Sequence, residues 1–307
     1  MERRVIVLAG PTCSGKTYVS LQLSQHIQSE IISADSRQVY QFLNIGTAKP
    51  TADELKKTKH HLVDCFTPDI DYNASKFEID SLKLIENILQ QGKVPIVTGG
   101  SGLYIKALVD GIFNSVDTDE ELRADYLEKR KTLGDEYLYK ELEKVDPESA
   151  VKMLPQNWKR VIRALEVFHL TGEPIWKLQE SYKRDVDYDF IQFGLNWNRE
   201  LLYKRIENRV DSMIEQGLVE ETKNILAMGY SKELNSLNTV GYKEIIAHLE
   251  GEITLERSIE LVKRNTRRFA KRQMTWFRKD KRIIWIDINS EEDLYTVPQK
   301  LINQFLS

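Results

Sequence analysis

The segment Gly10-Pro11-Thr12-Cys13-Ser14-Gly15-Lys16-Thr17 constrains this chain more than any other feature. It fits G-x-x-x-x-G-K-[ST], a loop whose successive backbone amides wrap a phosphate. The setting matches: Val5 to Ala9 is a short apolar run that reads as a buried strand, and Thr17 to Gln28 carries apolar residues at helical spacing. The glycines allow the backbone to approach a ligand at a helix N-terminus. Lys16 adds a cation, and the Thr17 hydroxyl is suited to ligating magnesium. The fold class expected from this unit is α/β, a P-loop NTPase-like core with a parallel sheet. Further apolar runs at Ile31 to Ala34, Leu62 to Cys65 and Val94 to Val97, separated by helical patterns, continue the alternation.

Beyond Gly111 the strand signal stops. Thr118-Asp-Glu-Glu121 has capping-box spacing, and Asp135 to Val145 and Trp158 to Leu170 are helical in period, so residues 113–186 read as a mainly helical insertion domain. Ser75-Lys-Phe-Glu78 has the same capping-box spacing ahead of a helix expected to stop at Gly92. Phe190 to Leu195 resumes the sheet, long helices start at Arg199 and Thr254, and Arg282 to Asp287 reads as a last strand. The chain thus divides into 1–112, the first part of a catalytic core, the insertion 113–186, and 187–307, the rest of the core with basic C-terminal helices.

Charge distribution says more than net charge. Lys plus Arg (44) nearly balance Asp plus Glu (47), yet Arg257 to Arg282 holds eleven bases against two acids, while Asp117 to Asp146 holds eleven acids against six bases. One end is suited to phosphates. The two cysteines, Cys13 and Cys65, are too few for a disulfide framework or a four-cysteine zinc site, and no apolar run approaches a membrane span. A soluble cytoplasmic protein is expected, with no membrane partner and as a monomer. His60 and His61 lack acidic or cysteine partners at ligand spacing and read as strand-edge or packing residues.

Most loops of the Gly10 to Thr17 type bind a nucleoside triphosphate, so an ATP-binding kinase of a nucleoside or small metabolite is one reading. Asp287 at the end of an apolar strand superficially supplies the magnesium-binding aspartate such enzymes use, although its place in the terminal strand suits that role poorly.

Other residues point elsewhere. Ser33-Ala-Asp35-Ser36-Arg37-Gln38-Val39-Tyr40, then Ile45-Gly46-Thr47-Ala48-Lys49-Pro50, resemble the signature of tRNA isopentenyl transferases. Gly99 to Tyr104, Trp158 to Glu166, Val240 to Lys243 and Ala270 to Arg278 resemble that family's further blocks, in order, over nearly the whole chain. The resemblance implies a P-loop core with a mobile helical insertion. It also implies transfer of a dimethylallyl group from dimethylallyl diphosphate to N6 of the adenine immediately 3′ of the anticodon, giving N6-isopentenyladenosine and diphosphate. Asp35 matches the family's base, and Lys16, Thr17 and bound Mg2+ serve the diphosphate, with Arg209 joining them. By the same resemblance the tRNA anticodon stem-loop is met by Asp35, Ser36, Arg37, Gln38, Ser101, Arg123, Lys159, Arg160, Arg163, Gly241, Tyr242, Lys243, Lys271, Arg272, Gln273 and Arg278.

The chemistry is physically coherent. An exocyclic adenine amine is a poor nucleophile, so a positioned base assists by about 10²- to 10⁴-fold, while preset donors stabilise charge growing on the departing diphosphate. Taken alone, Asp-Ser after a strand also commonly caps a helix, and Arg205 with Arg209, one turn apart, could simply be a solvated face. Arg264, Arg267, Arg268, Lys271, Arg272 and Arg278 recur at helical spacings and are assigned to RNA, whereas the interleaved Phe269, Trp276 and Phe277 are expected to pack inward. Cys13 and Ser101 depart from the family's commonest residues but remove no required group; a thiol beside a helix N-terminus could be open to oxidation. A prenyltransferase of free adenine nucleotides and a catalytically silent RNA binder are the other readings. The basic helix and the insertion favour RNA, and intact Lys16, Thr17 and Asp35 favour an enzyme. The lack of a C-terminal Cys/His finger suggests the bacterial form.

Overall fold

The computed structural model describes residues 3–113, 119–182, 184 and 186–306. The chain begins with β1 (Arg4–Ala9), α1 (Lys16–His26), β2 (Ser29–Ser33), α2 (Ala52–Lys57), β3 (His60–His61), α3 (Ala74–Gln90), β4 (Val94–Gly99) and α4 (Gly102–Asp110). A helical stretch follows: α5 (Glu120–Leu133), α6 (Asp135–Val145), α7 (Pro147–Ala150), α8 (Trp158–Thr171) and α9 (Ile175–Ser181). Then come β5 (Asp189–Trp197), α10 (Arg199–Glu215), α11 (Leu218–Ala227), α12 (Tyr242–Leu249), α13 (Leu255–Phe277), β6 (Ile284–Ile288) and α14 (Glu291–Leu306). The chain separates into two compact units, Met1–Val109 with Asp187–Ser307, and Asp110–Val186. Among the described residues no helix is long and apolar enough to cross a membrane.

The first unit is built on one parallel sheet, ordered β3-β2-β4-β1-β5-β6. A parallel strand covered on both faces is apolar throughout rather than alternating, and Val5 to Ala9 are all fully buried. β1 lies between β4, through Ile6 opposite Ile96, and β5, through Leu8 opposite Phe193. Strands β2, β4 and β1 therefore bring their C-terminal ends, and the loops after them, to the same end of the sheet, where open α/β folds hold ligands.

Several local expectations shift. Leu62 to Cys65 is not a strand: Leu62 and Asp64 have φ of 58° and 60°, a left-handed conformation that breaks a ladder, so β3 is confined to His60 and His61 at the sheet edge. Helix α3 is capped by Asn73, whose Oδ1 accepts from Ser75 N and Lys76 N, both at 3.1 Å; Ser75 and Glu78 lie buried inside the helix instead of forming its cap. Helix α5 is capped by Asp119, which accepts from Leu122 N at 2.9 Å; Thr118 lies outside the described residues. Helix α14, unanticipated, places Leu294, Val297, Leu301 and Phe305 in the core beside α1 residues Val19 and Leu23.

The second unit has its own core of Leu138, Leu142, Ala150, Val161, Ile162, Ala164 and Leu165. There Arg123 holds the fully buried Glu166 through two bonds, Nε to Oε1 at 2.7 Å and a terminal nitrogen to Oε2 at 3.0 Å, with Arg163 at 3.6 Å. Lys159 and Arg160 of the same helix, α8, are exposed, and Arg130 stacks over Trp158 at 4.0 Å.

Beside β3, buried Glu30 bonds Lys93 at 2.6 Å, lies 2.6 Å from His61 Nε2 and 3.6 Å from Lys59. Burial alone would raise its pKa. The hydrogen bonds from Lys93 and His61 and the Lys59 charge overcome that and hold it at about 2, below the ordinary 4.5. A depressed carboxylate contributes stability that is present above the unfolded value and lost as pH falls through the folded one. Glu30→Gln is therefore expected to cost roughly 2–3 kcal/mol at neutral pH and to flatten the loss of stability on acidification below 4.5. Urea unfolding at a series of pH values checks this; an acid limb parallel to that of the parent would contradict it.

Candidate active site

The phosphate loop leaves β1 through Gly10 and enters α1 through Gly15 at φ 85°; between them Cys13 takes φ 63°, a left-handed conformation for a residue with a Cβ. Three distant side chains brace it. Trp197 Nε1 donates to Ser14 O at 2.9 Å, Arg205 Nε donates to Cys13 O at 2.9 Å, and Gln273 Oε1 accepts from Thr12 N at 2.9 Å. Gln273 Nε2 also donates to Gly100 O at 2.9 Å, tying the loop to the end of β4. Gln273, assigned to tRNA by resemblance, is thus a buried clamp with both polar atoms on the protein. Within the arginine pair, Arg205 is committed to the loop and to an ion pair with Glu291, while Arg209 is exposed and lines the neighbouring cavities.

The Lys16 ammonium donates to Gly10 O at 3.0 Å and Pro11 O at 2.7 Å, folded back on its own loop. Burial lowers its pKa to about 8, against the opposing pull of Asp35 and Cys13 and with help from the Arg209 charge. Thr17 lines a cavity it shares with Arg209, Met213 and Ala48.

Asp35 follows β2. Its Oδ1 accepts from Arg37 N at 2.9 Å and Gln38 N at 3.3 Å, so it does cap the turn after the strand. Oδ2 takes no hydrogen bond from a described residue and remains available. Ser101 Oγ steadies the same turn by accepting from Ser36 N at 3.0 Å. Asp35, Ser36 and Arg37 line one cavity together with Thr12 and Cys13 of the phosphate loop, Arg209, Ser101 and Gly241. Its apolar wall is Ile206, Val210, Met213, Val240, Val262 and Phe269. Met213, Arg209 and Ala48 are shared with the cavity at Thr17, so the two spaces adjoin.

Other expected residues sit differently. Gln38 turns inward: Nε2 donates to Thr47 O at 3.2 Å and Ala48 O at 3.1 Å, and Oε1 accepts from Ser33 Oγ at 3.1 Å. Tyr242 is fully buried, its hydroxyl on Glu221 at 2.6 Å, while Lys243 beside it is exposed. On α13, Arg268, Lys271 and Arg272 are exposed, as is Arg278 at its C-cap, but Arg267 turns to Glu207 at 2.5 Å. Of the aromatics only Phe277 packs inward; Phe269 and Trp276 stay about 40% exposed, because the buried stripe of α13 runs through Val262, Ala270, Gln273 and Phe277. Asp287 sits on edge strand β6, separated from β1 by β5, and accepts from Asn196 Nδ2 at 2.6 Å.

Comparison with known proteins gives a consistent result. The family model described as IPP transferase matches residues 38–280. The tRNA dimethylallyltransferase of Thermotoga maritima is 46% identical over 299 residues, covering 97% of this chain and 96% of that protein. That of Pelotomaculum thermopropionicum is 44% identical over 298 residues, covering 97% and 95%. Among solved structures, the full-length tRNA isopentenylpyrophosphate transferase of Bacillus halodurans superposes with a TM-score of 0.72 at 36% identity, covering 98% of this chain and 96% of that one. A eukaryotic dimethylallyltransferase acting on tRNA gives 0.84 at 29% identity, covering 99% and 79%.

Proposed function

The chain belongs to the IPP transferase family, and we propose that it transfers a dimethylallyl group from dimethylallyl diphosphate to N6 of the adenine immediately 3′ of the anticodon in tRNA. One observation carries the reading: a free carboxylate oxygen, phosphate-loop residues, Arg209 and an apolar wall all face a single cavity. As the N6 lone pair attacks the terminal allyl carbon, the carbon–oxygen bond breaks and its electron pair leaves with the diphosphate. The N6 proton passes to Asp35, whose Oδ1 stays anchored by the turn while Oδ2 accepts. The loop amides and Arg209 stabilise the growing charge on the leaving group, joined by Lys16 once its ammonium turns from Gly10 O and Pro11 O to the diphosphate, and the apolar wall seats the five-carbon chain and keeps water from the reacting carbon.

Among the described residues no cluster of three or more His, Cys, Asp or Glu could hold a metal. A magnesium ion suits Thr17 nonetheless, because that ion retains water and is held by few protein oxygens with substrate phosphates; bound there it would neutralise diphosphate charge. Phosphates of the anticodon stem fit the exposed Arg268, Lys271, Arg272 and Arg278 of the first unit. Taken by itself, the second unit exposes Lys159 and Arg160, which suit RNA phosphate in the same way.

Incubating the protein and magnesium with dimethylallyl diphosphate or ATP, and with bulk tRNA or adenosine monophosphate, then weighing the products, tests the reading. A mass gain on tRNA only with the allyl donor is expected. Phosphoryl transfer from ATP, or a gain on the free nucleotide alone, would overturn it.

The lowered Lys16 pKa adds a pH signature. An anion on the loop raises that pKa again, so binding inorganic pyrophosphate near pH 8 should take up a proton, and affinity should fall by up to about tenfold per pH unit above 8. Calorimetry in buffers of different ionisation enthalpy measures the uptake. Lys16→Ala, which lacks the titrating amine, corrects for the anion's own protonation; equal uptake by both proteins would contradict the assignment.

A further inference from the structure

Residues 44–48 form a cleft wall without helix or strand, and Gly46, Thr47 and Ala48 line the cavity that holds Asp35. Three successive amides of this wall converge on one side chain of α11. Asn44 N donates to Glu221 Oε2 at 3.1 Å, Ile45 N to both carboxylate oxygens at 3.0 and 2.8 Å, and Gly46 N to Oε1 at 3.1 Å. The Tyr242 hydroxyl is a further donor, at 2.6 Å. Consecutive amides aimed at one anion form a nest of the kind that elsewhere binds phosphate; here the anion is part of the protein. Gly46 must be glycine for this packing, since a Cβ there would meet the Tyr242 ring at 2.5 Å.

The opposite side of the same wall reaches the base. Gln38 Nε2 holds the Thr47 and Ala48 carbonyls, and Gln38 N bonds Asp35 Oδ1 at 3.3 Å. A continuous set of hydrogen bonds thus runs from Glu221 through the wall to the turn that orients Asp35. Every group facing Glu221 is a donor, so the position calls for an acceptor-only side chain, and a carboxamide of the same shape would turn its own N–H groups toward donors.

We propose that Glu221 is a positioning residue for the transfer reaction, its carboxylate filling the amide nest so that the cleft wall holds Asp35 in line with the acceptor amine. The proposal rests on the transferase reading above. Glu221 touches no reacting atom; it acts through the wall. The phosphate loop is braced by other residues, so loss of Glu221 should slow turnover and leave the grip on diphosphate intact.

Glu221→Gln is the test, assayed for kcat and KM of allyl transfer to tRNA beside titration with inorganic pyrophosphate. Displacing a reacting group by an ångström costs on the order of 10²-fold, so kcat is expected to drop about 10- to 100-fold while pyrophosphate affinity stays within about twofold. Glu220→Gln makes the same charge change one residue away, on an exposed side chain, and should keep the parent kcat. Formate added to Glu221→Ala should refill the nest and raise kcat about tenfold or more, where chloride at equal ionic strength does not. A parent protein that transfers no allyl group would sink the transferase reading instead. With an active parent, kcat of Glu221→Gln within about twofold of normal, or pyrophosphate affinity falling in step with kcat, overturns the positioning role. If Glu221→Gln does not fold, the Glu221→Ala and formate pair decides, and recovery that is not specific to formate overturns the proposal.

Discussion

Asp35→Asn is expected to lower kcat for allyl transfer by about 10²- to 10⁴-fold at saturating tRNA and donor, with thermal stability close to that of the parent. The contrast follows from the two jobs of the side chain. Oδ1 accepts from Arg37 N and Gln38 N, and an asparagine carbonyl can accept the same two bonds, so the turn after β2 survives. Oδ2 is replaced by an amide nitrogen that cannot take the N6 proton. Asp35→Ala removes both functions and should add a stability loss of about 1 kcal/mol for the missing cap. Steady-state rates on transcribed tRNA, with melting curves of each variant, separate the effects. Near-normal turnover by Asp35→Asn would show that the base lies elsewhere.

Gly99→Ala is expected to give the largest loss of stability from one added methyl group, roughly 3–5 kcal/mol. A Cβ on Gly99 would lie 2.0 Å from Ala34 O and 2.4 Å from Ala34 C, and no rotamer change can relieve a backbone collision. β2 and β4 are paired as far as Ser33 opposite Thr98, and Ala34 N donates to Thr98 O at 2.8 Å. Gly99 is where β4 passes beneath the residue before Asp35. Relief of the clash must move either strand end, so activity should fall further than the folded fraction does. Gly92→Ala is the comparison: φ is +72° there but the space around it is open, and the cost should be only about 1 kcal/mol. Urea unfolding of both variants checks the difference, and Gly99→Ala within about 1 kcal/mol of the parent would refute the steric argument.

Elements whose cause is local were legible. β1 is a buried apolar run followed at once by the phosphate loop, and α13 begins where Thr254 accepts from Arg257 N at 3.2 Å. The run Leu62 to Cys65 misled because side-chain hydrophobicity does not reveal left-handed φ angles at Leu62 and Asp64. Helix α14 was legible in principle from Leu294, Val297, Leu301 and Phe305, but Pro298 within it disguises the period. Gln38, Tyr242 and Gln273 read as RNA-facing polar groups in a family block, whereas the fold turns each inward, Gln38 and Gln273 onto loops they steady and Tyr242 onto Glu221 of α11.

The amino-acid sequence by itself determined the phosphate cradle, since its eight consecutive residues carry their own backbone geometry, and, through ordered motif blocks, the family. The tertiary structure alone decided which side chains hold that cradle and the base in place. Trp197, Arg205 and Gln273 reach the loop from β5 onward, and Glu221 reaches Asn44 across 177 positions. The physical reason is that an acidic residue in the first turn of a helix looks, from its neighbours, like any complement to the helix dipole. Which amides it meets depends on how strands and helices far apart in the chain are brought side by side.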